Sequence, residues 1–386
     1  MTEPSTLPAE AVVDLAAVRA NVRELGRHAA GAEVMAVVKA DGYGHGLVQS
    51  ARAAREGGAS WLGVAQLSEG LALRAAGDTG RLLSWLHVPG VDFAAAVRTG
   101  IDLSVAAPWA LDEIAAAAHQ EGTTARVHLK VDTGLSRGGA TPQQWDDLVR
   151  ATLAAQAQGA VALVGVWSHL AFADAPDHPT VRHQQEVFEA AVASAIVLGA
   201  RPEVRHLANS AATLTNRSAH YDLVRPGLAV YGLSPVPDLH GSAALGLRPV
   251  MTLQAHLSLV KRVPAGSGVA YGHTYVTDRE TVLALVPLGY ADGVPRAAGN
   301  TGPLLVAGAV RRIAGRVSMD QVVVDLGDDQ AARDARAGDP VVLFGSGDGG
   351  EPTAQQWAEA TDTISYEIVA RIGARVPRSY VGEAAP

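Results

Sequence analysis

Lys39 closes an apolar run and is followed at once by glycines, in the stretch AVVKADGYGHG at residues 36–46. A lysine that ends a buried strand is partly removed from water. Its amine then has a lowered pKa and is freed as a nucleophile or base for Schiff-base chemistry. The commoner fate of such a lysine is to extend into solvent. The glycines favour the chemical role, because they allow close approach of backbone to a ligand, and Tyr43 can offer a hydroxyl to a phosphate.

Polar residues also follow later apolar runs. They are Lys130, Asp132 and Arg137 at the fifth run, Ser168 and His169 at the sixth, Asn209 and Ser210 at the seventh, and Arg225 and Gly227 at the eighth. In a barrel of parallel strands, the active site is built from the C-terminal strand ends and the loops after them. We therefore expect these side chains to converge with Lys39 at one mouth of a barrel.

Two of these loops favour a phosphate site. NSAATL at 209–214 begins a short helix, and RPGLAVYG at 225–232 places a glycine after the last run. Free N–H groups at the start of a helix bind anions, and barrel phosphate sites commonly lie at the last two loops. The alternative is an ordinary helix cap and an ordinary turn.

Three further basic residues have competing interpretations. Arg225 alone could form a surface ion pair, and His169 alone is better explained as a core histidine. Beside a candidate Schiff-base lysine, the two together suggest tuning of a cofactor ring. Lys130 lies in an apolar strand seven residues before Arg137. An unmodified buried lysine beside an arginine would be electrostatically unfavourable.

The elements that must position these residues alternate over about 200 residues. Strand-like runs lie at 34–38, 61–65, 81–86, 101–105, 126–131, 163–168, 204–207 and 222–225, and helical spacing fills 47–56, 68–76, 108–119, 142–158 and 182–198. Strict alternation predicts parallel strands, and eight such units close a (β/α)8 TIM barrel. Before the first barrel strand, 10–13 is an expected extra strand, with Asp14 as the N-cap of the next helix.

A Pro- and Gly-rich stretch at 234–249 marks a domain border. Beyond it, strand-like segments at 250–263, 281–288, 303–313, 321–326 and 340–344 and one helical stretch at 353–371 predict a smaller, mainly β domain. The expected domains are residues 1–13, a strand joining the C-terminal domain; residues 14–240, the cofactor-binding barrel; and residues 241–386, the β domain.

Composition excludes several functional classes. The 386 residues carry a formal net charge of −8, which argues against a nucleic-acid binder. The chain has no cysteine, so a disulfide framework, a thiolate metal site and a cysteine nucleophile are impossible. No apolar stretch approaches the ~20 residues of a membrane span, and the polar N-terminus does not resemble a signal peptide. We expect a cytoplasmic protein without a metal or a membrane partner.

These motifs together resemble the alanine racemases, pyridoxal 5'-phosphate enzymes with a (β/α)8 barrel and a C-terminal β domain. AVVKADGYGHG is very close to the family's cofactor-lysine signature. HLANSA, RPGLAVYG, VAYGHTY, GYADG, GRVSMDQ and TISYE follow in the family's order. The resemblance covers nearly the whole chain, from VDLAAVRANV to VPRSY.

The resemblance implies a role for each matching residue. Lys39 forms the Schiff-base link with the cofactor and is one of two proton carriers; the other is Tyr271, donated by the second subunit of a homodimer with shared active sites. The phosphate of the cofactor would be bound by Tyr43, Asn209, Ser210, Gly227, Leu228 and Tyr366. Arg225 would face the pyridine nitrogen, with His169 behind it, and Arg137 would approach the phenolic oxygen. Met319 and Asp320 would line the substrate side, and the substrate corridor would comprise Asp174, Tyr290, Arg296 and Arg316. Lys130 is expected to be carbamylated, as in relatives, and so to pair with Arg137.

The chemistry implied is interconversion of L-alanine and D-alanine, which supplies D-alanine for peptidoglycan. Racemisation needs a proton removed on one face and returned on the other, so two bases must flank one planar centre. An arginine at the pyridine nitrogen makes the cofactor a weaker electron sink, which limits transamination. The chain departs from many relatives at Ser318, where they have cysteine, and modestly around Arg137 in GLSRGGA.

Other functions are weaker. Fold-type III decarboxylases share the barrel and the lysine but place an acidic residue at the ring nitrogen and a glycine-rich loop at the phosphate. A non-catalytic pyridoxal-phosphate carrier resembles the barrel alone, and the second domain and Tyr271 argue against it. Serine or a broader set of amino acids remains an alternative substrate.

Overall fold

Asp14 separates the first two elements of the computed structural model, which describes residues 7–383. These elements are the strand β1 (Ala9–Asp14) and the helix α1 (Leu15–Ala29). The Asp14 carboxylate accepts hydrogen bonds from the N–H groups of Ala16 and Ala17, at 2.8 and 3.1 Å. Asp14 is therefore the N-cap that the sequence predicts, because it satisfies amides that the first helical turn leaves without partners.

Eight parallel strands form the predicted barrel. They are β2 (Glu33–Val37), β3 (Trp61–Val64), β4 (Arg81–Ser84), β5 (Asp102–Val105), β6 (Ala125–Lys130), β7 (Val161–Trp167), β8 (Val204–His206) and β9 (Leu223–Val224). They pair in the order β8, β7, β6, β5, β4, β3, β2, β9. Backbone bonds from Asp222 to Arg205 (3.1 Å) and from Arg225 to Ala208 (2.9 Å) join β9 to β8 and complete the ring.

Helices cover the barrel. They are α2 (Leu47–Glu56), α3 (Leu67–Ala75), α4 (Phe93–Arg98), α5 (Pro108–Glu121), α6 (Pro142–Ala157), α7 (Pro179–Val197) and α8 (Ser210–Thr215). Three of them start at a proline, whose fixed φ suits the first helical position and whose missing N–H costs nothing there. All four residues of β3 and of β5 are buried, as expected of parallel strands covered on both faces.

Large apolar side chains fill the barrel interior. Met35, Trp61, Leu83, Val164 and Leu223 form one buried cluster, contributed by five different strands. Fully burying side chains of this size stabilises the fold by about 1.5–3 kcal/mol each. The interior is therefore a packed core, and ligands must bind at its mouth.

The second unit is mainly β. Its strands are β10 (Met251–His256), β11 (Leu259–Val263), β12 (Gly268–Val269), β13 (Tyr275–Val276), β14 (Thr281–Val286), β15 (Pro303–Val306), β16 (Ala309–Arg312), β17 (Val322–Gly327), β18 (Pro340–Phe344) and β19 (Arg378–Val381), and its helices are α9 (Gln330–Asp334), α10 (Ala354–Ala360) and α11 (Ser365–Ala370). Six strands form one sheet in the order β16, β15, β18, β10, β1, β19, and β11, β14 and β17 form another.

By their contacts, the residues divide into two units. The barrel unit comprises Val18–Gly42 and Leu47–Leu247. The β unit comprises the residues up to Ala17, Tyr43–Gly46 and the residues from Arg248 onward. Within the β unit, β1 pairs antiparallel with β10 and parallel with β19. Residues 1–6 of the predicted N-terminal segment and residues 384–386 of the predicted β domain lie outside the described residues. In residues 7–383, no helix has both the length and the apolarity that a membrane crossing needs.

Several predicted β-unit elements are subdivided. The predicted run 303–313 is a hairpin, because Ala307 and Gly308 both have positive φ (49° and 73°), the conformation of a tight two-residue hairpin turn. The predicted helical stretch 353–371 is two helices, separated by Asp362 with φ 55°. The predicted run 250–263 is two strands in different sheets.

A pair of glycines tests how tightly the barrel is packed. A Cβ at Gly63 would lie 2.9 Å from the Met35 sulfur and 2.8 Å from the Trp85 ring, whereas a Cβ at Gly26, exposed in α1, would meet nothing within 4 Å. We expect Gly63→Ala to lower the free energy of unfolding by about 1–3 kcal/mol through overpacking. The control Gly26→Ala should raise it by about 0.5–1 kcal/mol through helix propensity. Denaturant unfolding measures both; equal effects would contradict a packed interior.

Candidate active site

Lys39 stands two residues beyond the end of β2, at the C-terminal mouth of the barrel. Its side chain is half-buried. Burial, and then the positive charge of Arg137, lower the pKa of the Lys39 amine, while the negative charge of Glu69 partly opposes them. The lowered pKa enlarges the neutral, nucleophilic fraction of the amine, as the chemistry proposed from the sequence requires.

The backbone after Lys39 is a tight left-handed turn. Ala40, Asp41, Gly42 and Tyr43 have φ values of 53°, 53°, 61° and 53°. This conformation costs L-residues other than glycine about 1–2 kcal/mol each. Sequence inspection indicates a glycine-rich loop here, but three of these four residues are not glycine. A strained turn held beside a reactive lysine is typical of functional sites.

Two carboxylates hold the turn in the barrel unit. Glu69 accepts the Ala40 N–H at 2.6 Å with one oxygen, and its other oxygen accepts the amides of Ala65 and Gln66. Asp41 accepts the Leu47 N–H at 2.8 Å. The loops after β2 and β3 are thus joined through Glu69. Sequence reasoning missed Glu69, because an acid in the first turn of a helix is ordinary.

Arg225 lies buried directly after β9. Its Nη2 donates to the carbonyls of Ser168 (2.7 Å) and Leu207 (3.2 Å) and lies 3.4 Å from His169 Nδ1. The guanidinium lies 4.9 Å from the centre of the Trp167 ring. No carboxylate forms an ion pair with Arg225 anywhere in residues 7–383. Burial lowers the pKa of Arg225 to about 9.

Other basic groups share this mouth. The Lys130 amine lies 4.3 Å from the Trp167 ring centre. Burial, together with the charges of Arg225 and Arg137, lowers the pKa of Lys130 to about 8. Burial and the same arginines hold the pKa of His169 well below its ordinary value. Arg137 is exposed on the loop after β6. The structure therefore brings the predicted basic residues together, and the site favours an anionic ligand.

The predicted phosphate residues of the barrel unit also lie together. Asn209 caps α8 by accepting the Ala212 N–H. The Ser210 hydroxyl oxygen accepts the amides of Gly227 (2.8 Å) and Ala229 (3.3 Å), and Leu228 lies buried between them in the chain. Because Ser210 is the acceptor in both bonds, its hydroxyl hydrogen is left to donate to an anion.

Tyr43 and Tyr366 are neighbours within the β unit, with ring centres 6.4 Å apart. Burial, and then Tyr366, raise the pKa of the Tyr43 hydroxyl, so it is a neutral donor. Gly44 fixes this contact: a Cβ there would lie 2.4 Å from the Val369 carbonyl, and the Gly44 carbonyl accepts from Arg378 at 3.0 Å.

Tyr271 begins a one-turn 3-10 helix in the β unit, and its side chain is 72% exposed. The preceding Ala270 has φ 57° and ψ −167°, a conformation populated almost only by glycine. The Arg316 guanidinium lies 3.1 Å from where a Cβ of Gly272 would be. The structure therefore brings Tyr271 and Arg316 to one surface.

The segments GYADG and GRVSMDQ also adjoin. The amides of Tyr290 and Ala291 donate to the carbonyls of Ser318 (3.1 Å) and Met319 (2.9 Å). Asp320 pairs with Arg375 at 2.7 Å, and Arg375 also reaches Asp292. Met319 is 52% exposed, and Arg296 lies in another 3-10 turn of the same unit. Asp174 belongs to the barrel unit, exposed on the loop after β7.

Sequence reasoning also missed three buried residues behind Arg225. Asp102, His128 and His206 lie on β5, β6 and β8 and are hydrogen-bonded in series. Their signal was present, because histidines within apolar strands such as RVHLKV and VRHL need buried partners. In the described part of the chain, no cluster of three or more His, Asp or Glu side chains could hold a metal ion.

Two family profiles match this chain. Residues 13–235 match "Alanine racemase, N-terminal domain", and residues 250–380 match "Alanine racemase, C-terminal domain". An alanine racemase of Frankia casuarinae is 61% identical over 371 residues, 96% of each chain, and one of Beutenbergia cavernae is 58% identical over 377 residues, 98% of this chain and 99% of the relative. A crystal structure of alanine racemase from D-cycloserine-producing Streptomyces lavendulae is 57% identical with a TM-score of 0.96, over 98% of both chains.

The strain at Ala270 predicts an unusual effect of glycine. A residue held in this region costs about 1–3 kcal/mol, and glycine removes that cost. We expect Ala270→Gly to raise the free energy of unfolding by about 1 kcal/mol, despite the extra freedom of glycine in the unfolded chain. The matched control Ala116→Gly, exposed in α5, should lower it by about 0.5–1 kcal/mol. A loss at both positions, measured by denaturant unfolding, would argue against strain at Ala270.

Proposed function

This chain belongs to the alanine racemase family, and on that premise we propose that it interconverts L-alanine and D-alanine by a two-base mechanism with pyridoxal 5'-phosphate. The relatives establish its class, an isomerase that racemises an amino acid. The observation that supports the mechanism best is Lys39, a lysine of lowered pKa at the barrel mouth among basic groups suited to a phosphorylated cofactor.

The residues of the barrel unit fit this cofactor. Lys39 would hold it covalently, and the Ser210 hydroxyl, Asn209 and the backbone of Gly227 and Leu228 would bind its phosphate. The motif resemblance adds Tyr43 and Tyr366 to the phosphate partners and Arg137 at the phenolic oxygen. When bound, the cofactor acidifies the Cα–H bond of the amino acid by delocalising the charge left on carbon.

Lys39 is the proposed proton carrier on one face of the substrate. A protonated amine cannot accept the Cα proton, so the lowered pKa of Lys39 is the property that this role requires. The same amine, once protonated, can return a proton to the carbon. Glu69 is the proposed anchor of this end of the barrel, because it holds the first amide after Lys39.

Tyr271 is the proposed carrier on the opposite face, supplied by the second subunit of a homodimer. Its exposure within one chain agrees with a side chain that another subunit covers. Met319 and Asp320 would line the substrate side from the same subunit. The substrate corridor is proposed to comprise Asp174, Tyr290, Arg296 and Arg316.

Arg225 is proposed to face the pyridine nitrogen of the cofactor. Its guanidinium is buried and has no carboxylate partner among residues 7–383, so it would offer the nitrogen a cation rather than a carboxylate that could share a proton. His169 lies behind it at 3.4 Å. This environment also argues against a decarboxylase, in which an acidic residue occupies that position.

The proposed physiological role is supply of D-alanine for peptidoglycan in the cytoplasm. Serine or a broader set of amino acids remains the alternative substrate. Incubation of the purified, cofactor-loaded protein with single L-amino acids, followed by assay for each D-enantiomer, distinguishes them. We expect alanine to react fastest, and faster conversion of another amino acid would overturn the assignment.

Loss of the Tyr271 hydroxyl should separate the two proton transfers. We expect Tyr271→Phe to lower the racemisation rate about 10²–10⁴-fold, the usual contribution of a positioned acid–base group. In deuterated water, Lys39 should still exchange the Cα proton of one enantiomer without converting it. The control Tyr221→Phe removes a hydroxyl bonded to Glu189 outside the site and should leave the rate unchanged. Full activity of Tyr271→Phe in both directions would overturn the two-base mechanism.

We further propose that Lys130 is carbamylated. A pKa of about 8 leaves part of the amine neutral near physiological pH, and the neutral amine adds CO2 to form a carbamate while releasing one proton. The product is an anion among the cations Arg137 and Arg225, so it removes the unfavourable like-charge contacts of the free lysine.

The sequence makes this modification easy to detect, because the chain has only three lysines, Lys39, Lys130 and Lys261. With ¹³C-bicarbonate we expect a carbamate carbon signal that is absent from Lys130→Ala and retained in Lys261→Ala. The signal should weaken as the pH falls below about 8, because the protonated amine does not add CO2. An intact native mass without the increment of one CO2 at saturating bicarbonate would count against the proposal.

A further inference from the structure

A chain of buried polar side chains runs through the barrel interior from Arg225 to Asp102. Arg225 Nη1 lies 3.2 Å from His206 Nδ1, His206 Nε2 lies 2.9 Å from His128 Nδ1, and His128 Nε2 lies 3.1 Å from Asp102 Oδ2. All four side chains are buried. They come from four barrel strands or strand ends.

Only one direction of hydrogen bonding satisfies every group. A guanidinium can only donate, so His206 must accept at Nδ1 and carry its hydrogen on Nε2. That hydrogen goes to His128 Nδ1, so His128 also carries its hydrogen on Nε2. His128 then donates to Asp102, which must be an ionised acceptor. The cation at one end therefore determines the tautomer of each imidazole between it and the carboxylate.

Arg126 fixes the far end. Its Nε donates to Asp102 Oδ1 at 2.9 Å, so each carboxylate oxygen accepts from a different donor. Burial would raise the pKa of Asp102, but the contributions of His128 and Arg126 together outweigh burial and lower this pKa, which keeps Asp102 ionised. Burial lowers the pKa of His128 and holds that of His206 well below its ordinary value, which keeps both rings neutral.

Packing fixes the ring orientations as well. Trp167 stacks on His206, with ring centres 5.6 Å apart and planes 5° from parallel, and the Trp61 ring meets His128 edge-on at 5.4 Å. Gly165 leaves the space that His128 occupies, because a Cβ there would lie 2.2 Å from His128 Nδ1. Neither ring can turn over to exchange its nitrogens without disturbing these contacts.

We propose that Asp102 and His128 are positioning residues for Arg225. Through His206 they keep an acceptor facing the guanidinium, and so hold this cation where the proposed function needs it, opposite the pyridine nitrogen. The inference rests on the proposed function for its consequence in catalysis, and on the contacts of the barrel interior for the orientation itself.

Asp102→Asn should reverse the direction of hydrogen bonding along the series, while the side chain keeps the same number of heavy atoms. Arg126 can only donate, so the oxygen of the introduced amide should face Arg126 and its NH2 group should face His128 Nε2. Both imidazoles would then carry hydrogen on Nδ1, and His206 would point an N–H at the donating Arg225. We expect a fall in kcat of about 10- to 100-fold, the usual cost when a group that orients a functional side chain is lost.

A second substitution should rescue this variant. In Asp102→Asn/Arg126→Met, no donor competes for the oxygen of the introduced amide, so this oxygen can turn to His128 and restore the original direction. We expect kcat to recover at least half of the loss on a logarithmic scale. If Asp102 served only to stabilise the fold, removing a further partner would leave kcat as low or lower. Absence of recovery would therefore overturn the proposal.

The imidazole tautomers provide a readout that needs neither cofactor nor turnover. Ring ¹⁵N chemical shifts of histidine-labelled, cofactor-free protein should place hydrogen on Nε2 of His128 and His206 in the native chain and in Arg126→Met. In Asp102→Asn they should report Nδ1–H, and in the double variant Nε2–H again. Hydrogen on Nδ1 of either ring in the native protein contradicts the proposal even if no variant folds.

The two measurements also separate this inference from the proposed function. If the native protein failed to racemise alanine while its tautomers followed the expected pattern, the function would be wrong and the orientation of Arg225 would stand. If it racemised alanine but the tautomers did not respond to Asp102→Asn, the positioning role would be wrong and the function would stand.

Discussion

The guanidinium of Arg225, buried in the barrel with no carboxylate paired to it among the described residues, constrains the groups around it. Taking a charge out of water is costly unless hydrogen bonds replace the lost solvation. Arg225 meets this requirement with the carbonyls of Ser168 and Leu207 and with the ring nitrogens of His169 and His206. Each of these partners must be an acceptor, so both histidines must be neutral. The carboxylate of Asp102 lies at the other end of this hydrogen-bonded series, two imidazoles away, where it pairs with Arg126.

Burial is the main cause of the lowered pKa values of Lys39 and Lys130, and neighbouring arginines lower them further. Lys130 has a lowered pKa partly because Arg225 and Arg137 are near, and Lys39 partly because Arg137 is near. Arg225, which we propose faces a cofactor ring, thus also favours the neutral amine of Lys130. An acidic residue in place of Arg225 would have the opposite charge and would raise the pKa of Lys130 instead of lowering it.

Much of this organisation was predictable from the sequence. The eight barrel strands begin and end within a few residues of the apolar runs, because parallel strands buried on both faces have nearly continuous apolar sequences. Candidate residues such as Lys39, Ser210 and Arg225 follow from their place at strand ends. The β unit was harder, since the turn at Ala307–Gly308 and the break at Asp362 depend on single residues with positive φ.

Other features depend on partners distant in the sequence. Glu69 resembles any acid near a helix start until the loop after Lys39 is placed beside it. Asp102, His128 and His206 resemble strand residues until the barrel closes and their rings meet. Orientations of this kind come from tertiary contacts, which local sequence patterns do not encode.

The left-handed turn after Lys39 has a consequence in terms of chirality. Residues 40–43 adopt φ values near +53° to +61°, the mirror image of an ordinary right-handed helical turn. This is the conformation that D-residues prefer, by the same sterics that disfavour it for L-residues. A protein assembled by chemical ligation with D-alanine at position 40 would therefore relax the very backbone that L-alanine strains. In this chain of L-amino acids, residues 40–43 thus adopt the backbone conformation that D-residues would prefer.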